Sequence, residues 1–502
     1  MSTRAKVAAA AVAAALLFLL ASAASASEDN GGEEKAESAC SLGENDTALE
    51  CAVVVDQKGR NVVEPDFLTR LPSSGIKTLR LRCQIDRADG DGVFLYLRDV
   101  LDAGLETASA ASADTLSFPD NGIDRLEVID CPVKRLQRLD LLFVASSVTS
   151  GLLSLTVRNE RSDLVVGRRA RPLLTVEADA FQDAPRGLAA LDLSGNGISS
   201  LDPQLLCPLG RTLARLNVSH NALGSLDVVT SCPLERLRQL HASHNRLRRV
   251  PGRGALGRSM PNLSELDLSS SGLTSLESGT LSGLRELRVV KLSHNGLAFL
   301  PADLVGPDTA LRELYLGNNS LSEIPAALLE RLGGNLLVLN LSNNAVSSNS
   351  RWLRDGPFGA LKNLVALDLS HNRLAELGAG LFRGLDALQV LTAAHNQIRS
   401  LARDAFAHTP NLHALVLSHN GLEDLGEAGG KLDASQRSVF DGLEKISSLG
   451  LDHNRLKVLD RYDPYISTYI DCMYSSAKKT EPNILTIVDF PRVVFSPFRE
   501  TH

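Results

Sequence analysis

Seven of the eleven histidines stand directly before a recurring asparagine or its equivalent, and they are the residues with the most evident chemistry: His220, His244, His294, His371, His395, His419 and His453. Imidazole titrates near neutral pH and is a common ligand of transition metals. Stacking of these positions would create a stripe that senses pH or binds a metal ion. No acidic residue recurs beside the histidines. We therefore favour the alternative, a residue type preferred in a repeated turn, and assign no metal site.

Three aspartates in the segment DRADGDG, namely Asp86, Asp89 and Asp91, suggest a calcium-binding loop. The sixth-position glycine and the closing glutamate of such a loop are out of register here, which favours a solvated loop. The sequence contains no G-x-S-x-G, phosphate-binding loop, H-E-x-x-H or C-x-x-C motif. These observations predict a protein that is not an enzyme and that uses no cofactor.

The asparagines that follow the histidines end a phrase, L-x-x-L-x-L-x-x-N, that occurs eleven times between residues 188 and 454. Its last residues are spaced by 24 to 28 residues, with a final step of 34; they are Asn196, Asn221, Asn245, Ser271, Asn295, Asn319, Asn344, Asn372, Asn396, Asn420 and Asn454. This pattern is the signature of a leucine-rich repeat. It predicts an α/β solenoid, a leucine-rich-repeat horseshoe with a parallel concave β-sheet. A solenoid offers a long curved surface, which favours a binding function over catalysis.

Each phrase predicts one short strand whose paired leucines, such as Leu191 and Leu193, point into the core. The ladder asparagine is expected to turn inward and satisfy turn backbone groups of the coil. A second apolar set is predicted to line the convex half, where Phe382, Phe406 and Phe440 fit a short helical or 3₁₀ turn.

The residues between the paired leucines are predicted to face the concave side, and most of them are polar: Asp192, Asn217, His241, Asp267, Lys291, Tyr315, Asn340, Asp368, Thr392 and Val416. For any one residue, an ordinary solvated face is as good an explanation as a ligand patch. Glycans on Asn217 and Asn340 would obstruct two stretches of this face. Ligand contact would then favour the lateral edges or the gap near Asp267, Lys291 and Tyr315.

The chain ends differ in composition from the repeats. Residues 1–26 resemble a secretory signal peptide with an apolar core and an A-x-A cleavage site. Residues 27–75 are predicted to form an acidic segment and an N-terminal cap, residues 76–187 degenerate repeats, and residues 188–460 the regular repeats. The polar stretch 426–438 is expected to form a loop. Residues 461–502 break the pattern, which suggests a truncated or incomplete sequence whose last repeat lacks a cap.

The N-x-S/T sequons and the cysteines agree with secretion. The predicted glycosylation sites are Asn45, Asn217, Asn262, Asn318 and Asn340. Cys207 and Cys232 each lie 11 residues after a ladder asparagine and precede Pro-Leu, so they occupy one register on adjacent coils. Their Cα atoms should be ~5 Å apart, within disulfide range. Cys40 and Cys51 are expected to pair in the cap, which leaves Cys83, Cys131 and Cys472 unassigned.

Several irregular features resemble the ectodomain of arthropod Toll receptors of the long-ectodomain (Tollo) type, over residues 40–460. They are LRLRC with Cys83, LEVIDCPV with Cys131, LDLSGNGISSLDPQLLCPL, the ordered pair LPADLV and LRELYLGNNSLSEIP, and the long repeat with Trp352. The resemblance implies recognition of a protein ligand such as a Spätzle-like cystine-knot cytokine, in innate immunity or epithelial patterning. The family's further repeats, membrane helix and cytoplasmic Toll/interleukin-receptor domain are absent from this sequence.

The sequence therefore predicts the extracellular recognition portion of a Toll-like receptor that binds a protein ligand or a partner ectodomain without signalling by itself. The alternative is a secreted or matrix-associated adhesion or decoy protein without signalling. The expected location is secreted or, for a fragment of a full receptor, the extracellular side of the plasma membrane. The formal net charge of −7, spread over both signs, argues against nucleic acid as the main partner.

Overall fold

The structure, a computed structural model, describes residues 40–42, 48–55, 77–85, 95–96, 123–131, 133–138, 151–159, 174–354, 356–423, 439–440, 443 and 445–456. Several expectations lie outside these residues. They concern the signal peptide, Asn45, the aspartates in 86–91, the stretch 426–438 and the tail 461–502 with Cys472.

The described residues form 21 strands. In chain order these are β1 (Cys40–Leu42), β2 (Ala48–Val55), β3 (Thr78–Ile85), β4 (Leu95–Tyr96), β5 (Arg125–Ile129), β6 (Val133–Leu136), β7 (Ser154–Arg158), β8 (Thr175–Val176), β9 (Ala190–Asp192), β10 (Arg215–Asn217), β11 (Gln239–His241), β12 (Glu265–Asp267), β13 (Val289–Lys291), β14 (Glu313–Tyr315), β15 (Val338–Asn340), β16 (Ala366–Asp368), β17 (Glu376–Leu377), β18 (Val390–Thr392), β19 (Ser400–Leu401), β20 (Ala414–Val416) and β21 (Ser448–Gly450). Sixteen of them build one sheet in the order β1-β2-β3-β5-β7, then β9 to β16, then β18-β20-β21. Every neighbouring pair is parallel except β1 with β2. The predicted parallel-sheet solenoid is confirmed.

The repeated leucines lie in register across the strands. Leu191, Leu216, Leu240 and Leu266 are successive partners across four strands. Each is at most 1% exposed, whereas the residues on either side of it face outward in these short strands. Because a single coil cannot bury its own leucines, the apolar core forms only when coils stack.

The degenerate part of the sequence joins the same sheet. β3, β5 and β7 coincide with the weak phrases around Leu79, Leu126 and Leu155, and these three leucines are buried. The phrase at Leu155, which fits the pattern least well, still forms a five-residue strand. At the sheet's N-terminal edge β1 runs antiparallel to β2 and places the Cα atom of Cys40 opposite that of Cys51. This register agrees with the predicted cap, and the disulfide there stays a prediction.

The ladder asparagines connect consecutive coils as predicted. The Asn221 carboxamide donates from Nδ2 to the carbonyl oxygens of Leu193 and Val218, both at 2.9 Å. Its Oδ1 accepts the backbone N–H groups of Asn196 at 3.1 Å and Ile198 at 2.9 Å. One buried side chain therefore satisfies turn groups of its own coil and of the preceding coil. The same bridge recurs at the other ladder asparagines as far as Asn454.

The convex side contains short helices and hydrogen-bonded turns. The helices are α1 (Asp227–Thr230), α2 (Ala255–Ser259), α3 (Ala326–Leu332) and α4 (Arg351–Arg354), with a 3₁₀ turn at Cys207–Leu209. Short parallel sheets join β17 to β19 and β4 to β6 and β8. Phe382, Phe406 and Phe440 lie in turns instead of helices, and their rings stack at 5.9 and 6.3 Å between centroids.

The predicted disulfide between Cys207 and Cys232 is present, with 5.3 Å between their Cα atoms. It joins the convex sides of two adjacent coils, where backbone pairing is less regular than in the sheet. Cys131 is also disulfide-bonded.

Replacement of a ladder asparagine should destabilise the solenoid. Asn221→Ala leaves buried N–H and carbonyl groups without partners, so we expect a loss of about 1–3 kcal/mol in unfolding free energy. Asn221→Ser should cost less, since the serine at the equivalent position 271 makes two of these bonds. Urea denaturation followed by circular dichroism measures the effect, with the exposed Gln397→Ala as control. An unfolding midpoint for Asn221→Ala equal to that of wild type would contradict the bridging role.

Removal of the convex disulfide should also lower stability. The bond closes a loop with a sequence separation of 25, and in the chain-entropy model its loss costs roughly 3 kcal/mol. We expect the double variant Cys207→Ser/Cys232→Ser to melt at a lower temperature than the wild type. Addition of a reductant should lower the melting temperature of the wild type by more than that of the variant, which retains the disulfide at Cys131. Equal melting temperatures without reductant would show that the bond contributes little to stability.

Candidate binding face

The concave face consists of the first and third residues of each three-residue strand of the regular repeats. Most of them are partly exposed, whereas Asn340, Ala366, Asp368 and Thr392 are buried. Between β9 and β16 these positions hold five carboxylates and two permanent cations: Asp192, Glu265, Asp267, Glu313 and Asp368 against Arg215 and Lys291. The face is therefore polar and net negative.

Glu265 is the centre of a polar cluster on strands β11 to β13. Its Oε1 lies 2.8 Å from Lys291 Nζ and 4.0 Å from His241 Nε2. Its Oε2 accepts a hydrogen bond from Gln239 Nε2 at 3.2 Å. The side chains of Glu265 and Lys291 are 19% and 12% exposed, so this ion pair is largely shielded from water. Shielding reduces screening by salt and fixes the pair more firmly than an ordinary surface salt bridge.

The three sequence-predicted ligand residues lie side by side, because Asp267, Lys291 and Tyr315 are successive register partners. Their side chains have separate partners, however. Lys291 reaches diagonally to Glu265 and not to Asp267, whose Oδ1 accepts the backbone N–H of Ser269 at 2.9 Å. The hydroxyl of Tyr315 donates to Glu313 Oε2 at 2.9 Å.

These contacts set the charge states in the cluster. Burial alone would raise the pKa of Glu265, but the hydrogen bond and charge of Lys291 outweigh it and hold the pKa below its ordinary value. Burial and the neighbouring Glu313 carboxylate raise the pKa of Tyr315. At neutral pH the cluster therefore presents ionised Glu265 beside a protonated tyrosine hydroxyl.

Hydrogen-bonded polar side chains flank the cluster on both sides. Toward the N-terminus, Asn217 Nδ2 donates to Asp192 Oδ2 at 3.0 Å, and Arg80 pairs with Glu50 and with Glu127. Toward the C-terminus, Thr392 Oγ1 donates to Asp368 Oδ1 at 2.7 Å. Polar contacts between neighbouring strands thus occur on both sides of the cluster.

The four sequons in the described residues differ in environment. Asn217 is half-buried on the concave face, whereas Asn262 is exposed outside the sheet and donates to the Glu235 carbonyl at 2.7 Å. Asn318 lies in a turn with its Nδ2 3.3 Å from His294 Nε2. Asn340 does not project freely as expected; it is 6% exposed, since Ser342 bonds to its Oδ1.

All seven histidines that precede a ladder asparagine adopt the left-handed backbone conformation, with φ between 52° and 57°. Stacked rings occur at His220–His244 and along His371–His395–His419–His453. The histidines of adjacent coils therefore stack in two stretches. At the C-terminal end of the second stretch Asp452 contacts the histidines, so that His419, Asp452 and His453 form a group able to hold a metal ion.

Sequence reasoning missed several residues of these sites. Glu265, Gln239 and Glu313 each stand two positions before a residue that was singled out, and the period-2 alternation of a strand places both on one face. Asp452 carried a signal too, since LGLDHN has an acidic residue where most phrases have serine. Phe299, which is 60% exposed outside the sheet, had no pattern to mark it.

Within the described residues, no helix is long and apolar enough to cross a bilayer.

Comparisons with known proteins match the repeat region. Models of the leucine-rich repeat match residues 186–247, 254–306, 362–422 and 310–332. Fibromodulin from Sus scrofa is 32% identical over 141 residues, which are 28% of this chain and 89% of that sequence. Podocan-like protein 1 from Homo sapiens is 33% identical over 175 residues, covering 30% of this chain and 33% of that protein.

Solved structures share the fold at lower identity. The Drosophila Toll–Spatzle complex gives a TM-score of 0.55 at 20% identity, covering 84% of this chain and 60% of the matched chain. The TLR13–ssRNA13 complex gives 0.54 at 20% identity, covering 83% and 60%. The chain thus spans less than two thirds of either receptor chain.

The repeat phrase, the parallel sheet with its asparagine bridges and these matches agree on one family. The chain belongs to the leucine-rich-repeat proteins, a family of ligand-binding and typically non-enzymatic proteins.

Proposed function

We propose that this chain is the extracellular recognition portion of a Toll-like receptor and binds a protein ligand through the concave face of strands β11 to β14. The observation that carries the proposal is the cluster around Glu265. There, shielded charged and aromatic side chains of four adjacent strands are held in fixed positions by their mutual contacts. Preorganised polar and aromatic groups lower the entropic cost of binding.

The charge of the face supports a protein partner with a basic surface. Five carboxylates against two cations between β9 and β16 disfavour the phosphate backbone of a nucleic acid. Electrostatic complementarity favours a partner patch rich in lysine or arginine. Drosophila Toll is bound to Spatzle in its solved complex, and a Spätzle-like cystine-knot cytokine is the ligand we propose here. The Tollo-type assignment, and a role in innate immunity or patterning, rest on the sequence resemblance.

One concave sequon limits the proposed contact. Asn217 lies half-buried on β10, one strand before the cluster, whereas Asn340 on β15 is only 6% exposed. An N-linked glycan on Asn217 would keep a ligand away from β10 and leave β11 to β14 open. Glycans at the other sequons, including exposed Asn262, would leave this face open.

The second candidate is a secreted or matrix-associated adhesion or decoy protein without signalling. The matches to fibromodulin and to lumican from Coturnix japonica, at 32% and 31% identity, favour it, because these relatives are extracellular matrix proteins. Both candidates place the repeats outside the cell and use them to bind protein. They differ in whether the ligand is a cytokine and whether a membrane-attached form of the chain signals.

Removal of single concave side chains should weaken binding of the cytokine. We expect Tyr315→Ala to raise the Kd at least about tenfold, the range typical of interface hot spots. Asp267→Asn removes a negative charge that faces the basic patch and keeps an oxygen for the Ser269 N–H, so it should raise the Kd as well. Biolayer interferometry with the secreted chain and a Spätzle-like cytokine from the same organism measures the change. Lys362→Ala, an exposed lysine outside the sheet, is the matched control and should leave the Kd unchanged.

Two outcomes would contradict the proposal. Equal effects of Tyr315→Ala and Lys362→Ala would exclude the concave cluster as the contact. Absence of cytokine binding by a folded wild-type chain would exclude the receptor function and favour the matrix candidate.

A further inference from the structure

The C-terminal end of the solenoid carries a stack of four imidazole rings. His371, His395, His419 and His453 follow one another with ring centroids 4.2, 4.1 and 4.0 Å apart and interplanar angles of 8°, 10° and 14°. Left-handed backbone at each position aims the rings in the same direction. The N–H of His419 donates to the Asp452 carbonyl at 2.9 Å, which fixes the last two coils against each other.

Asp452, which lies beside this stack, is the only acidic residue at its position among the eleven phrases. Among the eleven phrases the position two before the ladder residue holds serine eight times, glycine once, alanine once and aspartate only at Asp452. The Asp452 side chain is 13% exposed, with Oδ2 2.9 Å from His453 Nδ1 and 4.0 Å from His419 Nε2. Ser418 Oγ donates to its other oxygen.

The Asp452 carboxyl group lies between two imidazole rings, and the Ser418 hydroxyl donates to its oxygen that does not face them. The two rings remain accessible from solvent, with 39% and 58% of the His419 and His453 side chains exposed.

We propose that His419, Asp452 and His453 bind one divalent transition-metal ion, with zinc as the expected occupant. One ligand atom from each residue lies within 4.8 Å of the others. Zinc binds imidazole nitrogen at ~2.0–2.1 Å and carboxylate oxygen at ~2.0–2.2 Å, so the stacked rings of His419 and His453 must tilt toward the ion from their parallel arrangement to bind it together with Asp452. Imidazole selects zinc, copper or nickel over calcium and magnesium. The remaining coordination position faces solvent, where water or an atom of a partner protein completes it.

The other stacked pair provides an internal comparison. His220 and His244 stack at 4.2 Å, yet serine stands at both positions that correspond to Asp452. This pair offers two imidazoles without the carboxylate. A metal ion that needs all three ligands should therefore bind at His419, Asp452 and His453 more tightly than at the His220–His244 pair.

The test measures zinc binding by the full chain, without an affinity tag and after dialysis against a chelator. Isothermal titration with zinc chloride should give one strong site per chain. Asp452→Ser restores the common residue of the register, and His453→Asn places a residue that already adopts this backbone at Asn318 and Asn343. Each should weaken zinc binding at least about tenfold. His244→Asn, the matched control at the pair without a carboxylate, should bind zinc as the wild type does.

Two further measurements keep the result interpretable. Circular dichroism confirms that the variants fold, and cobalt substitution reports coordination by visible absorption that Asp452→Ser should abolish. The proposal fails if the folded wild type binds no zinc at micromolar concentrations. It also fails if Asp452→Ser and His453→Asn bind zinc as tightly as the wild type.

Discussion

The asparagine bridge between coils is the interaction on which the rest of the molecule depends. A leucine column alone would allow adjacent coils to slide, because burial of apolar surface is not directional. Asn221, Asn372 and their equivalents fix the register by donating to carbonyl oxygens of two coils and accepting N–H groups from the preceding one. Every side chain of the concave face takes its position from this register.

The same turn also explains the histidines. The residue before each ladder asparagine has positive φ, a conformation that asparagine and histidine adopt more readily than most residues. Its N–H donates to the next coil, as His220 does to the Ser243 carbonyl at 2.9 Å. The positive φ of this turn therefore favours histidine at the same position of several coils, and the imidazole rings of adjacent coils stack. The addition of one carboxylate, Asp452, gives this structural column the donor set of a metal site.

The features that repeat could be predicted from the sequence. The leucine pairs, the inward asparagines, the parallel sheet and the pairing of Cys207 with Cys232 all follow from period and spacing. The diagonal contact of Lys291 with Glu265 could not, because a lysine on a strand can reach several neighbours and only their packing selects one. The burial of Asn340 could not be predicted from the sequence either. Asp452 was missed because the histidines were weighed as a repeated set, and an acidic residue precedes a histidine only in the last phrase.

We propose that a protein ligand binds at the preorganised polar face, which the bridged coils hold in position. Photo-crosslinking reports this contact, with benzoylphenylalanine placed at Tyr315 on the face, at exposed Phe299 outside the sheet and at Lys362. With the Spätzle-like cytokine present, we expect a covalent adduct from position 315 and none from 299 or 362. Adducts from position 299 or 362 and none from 315 would contradict it.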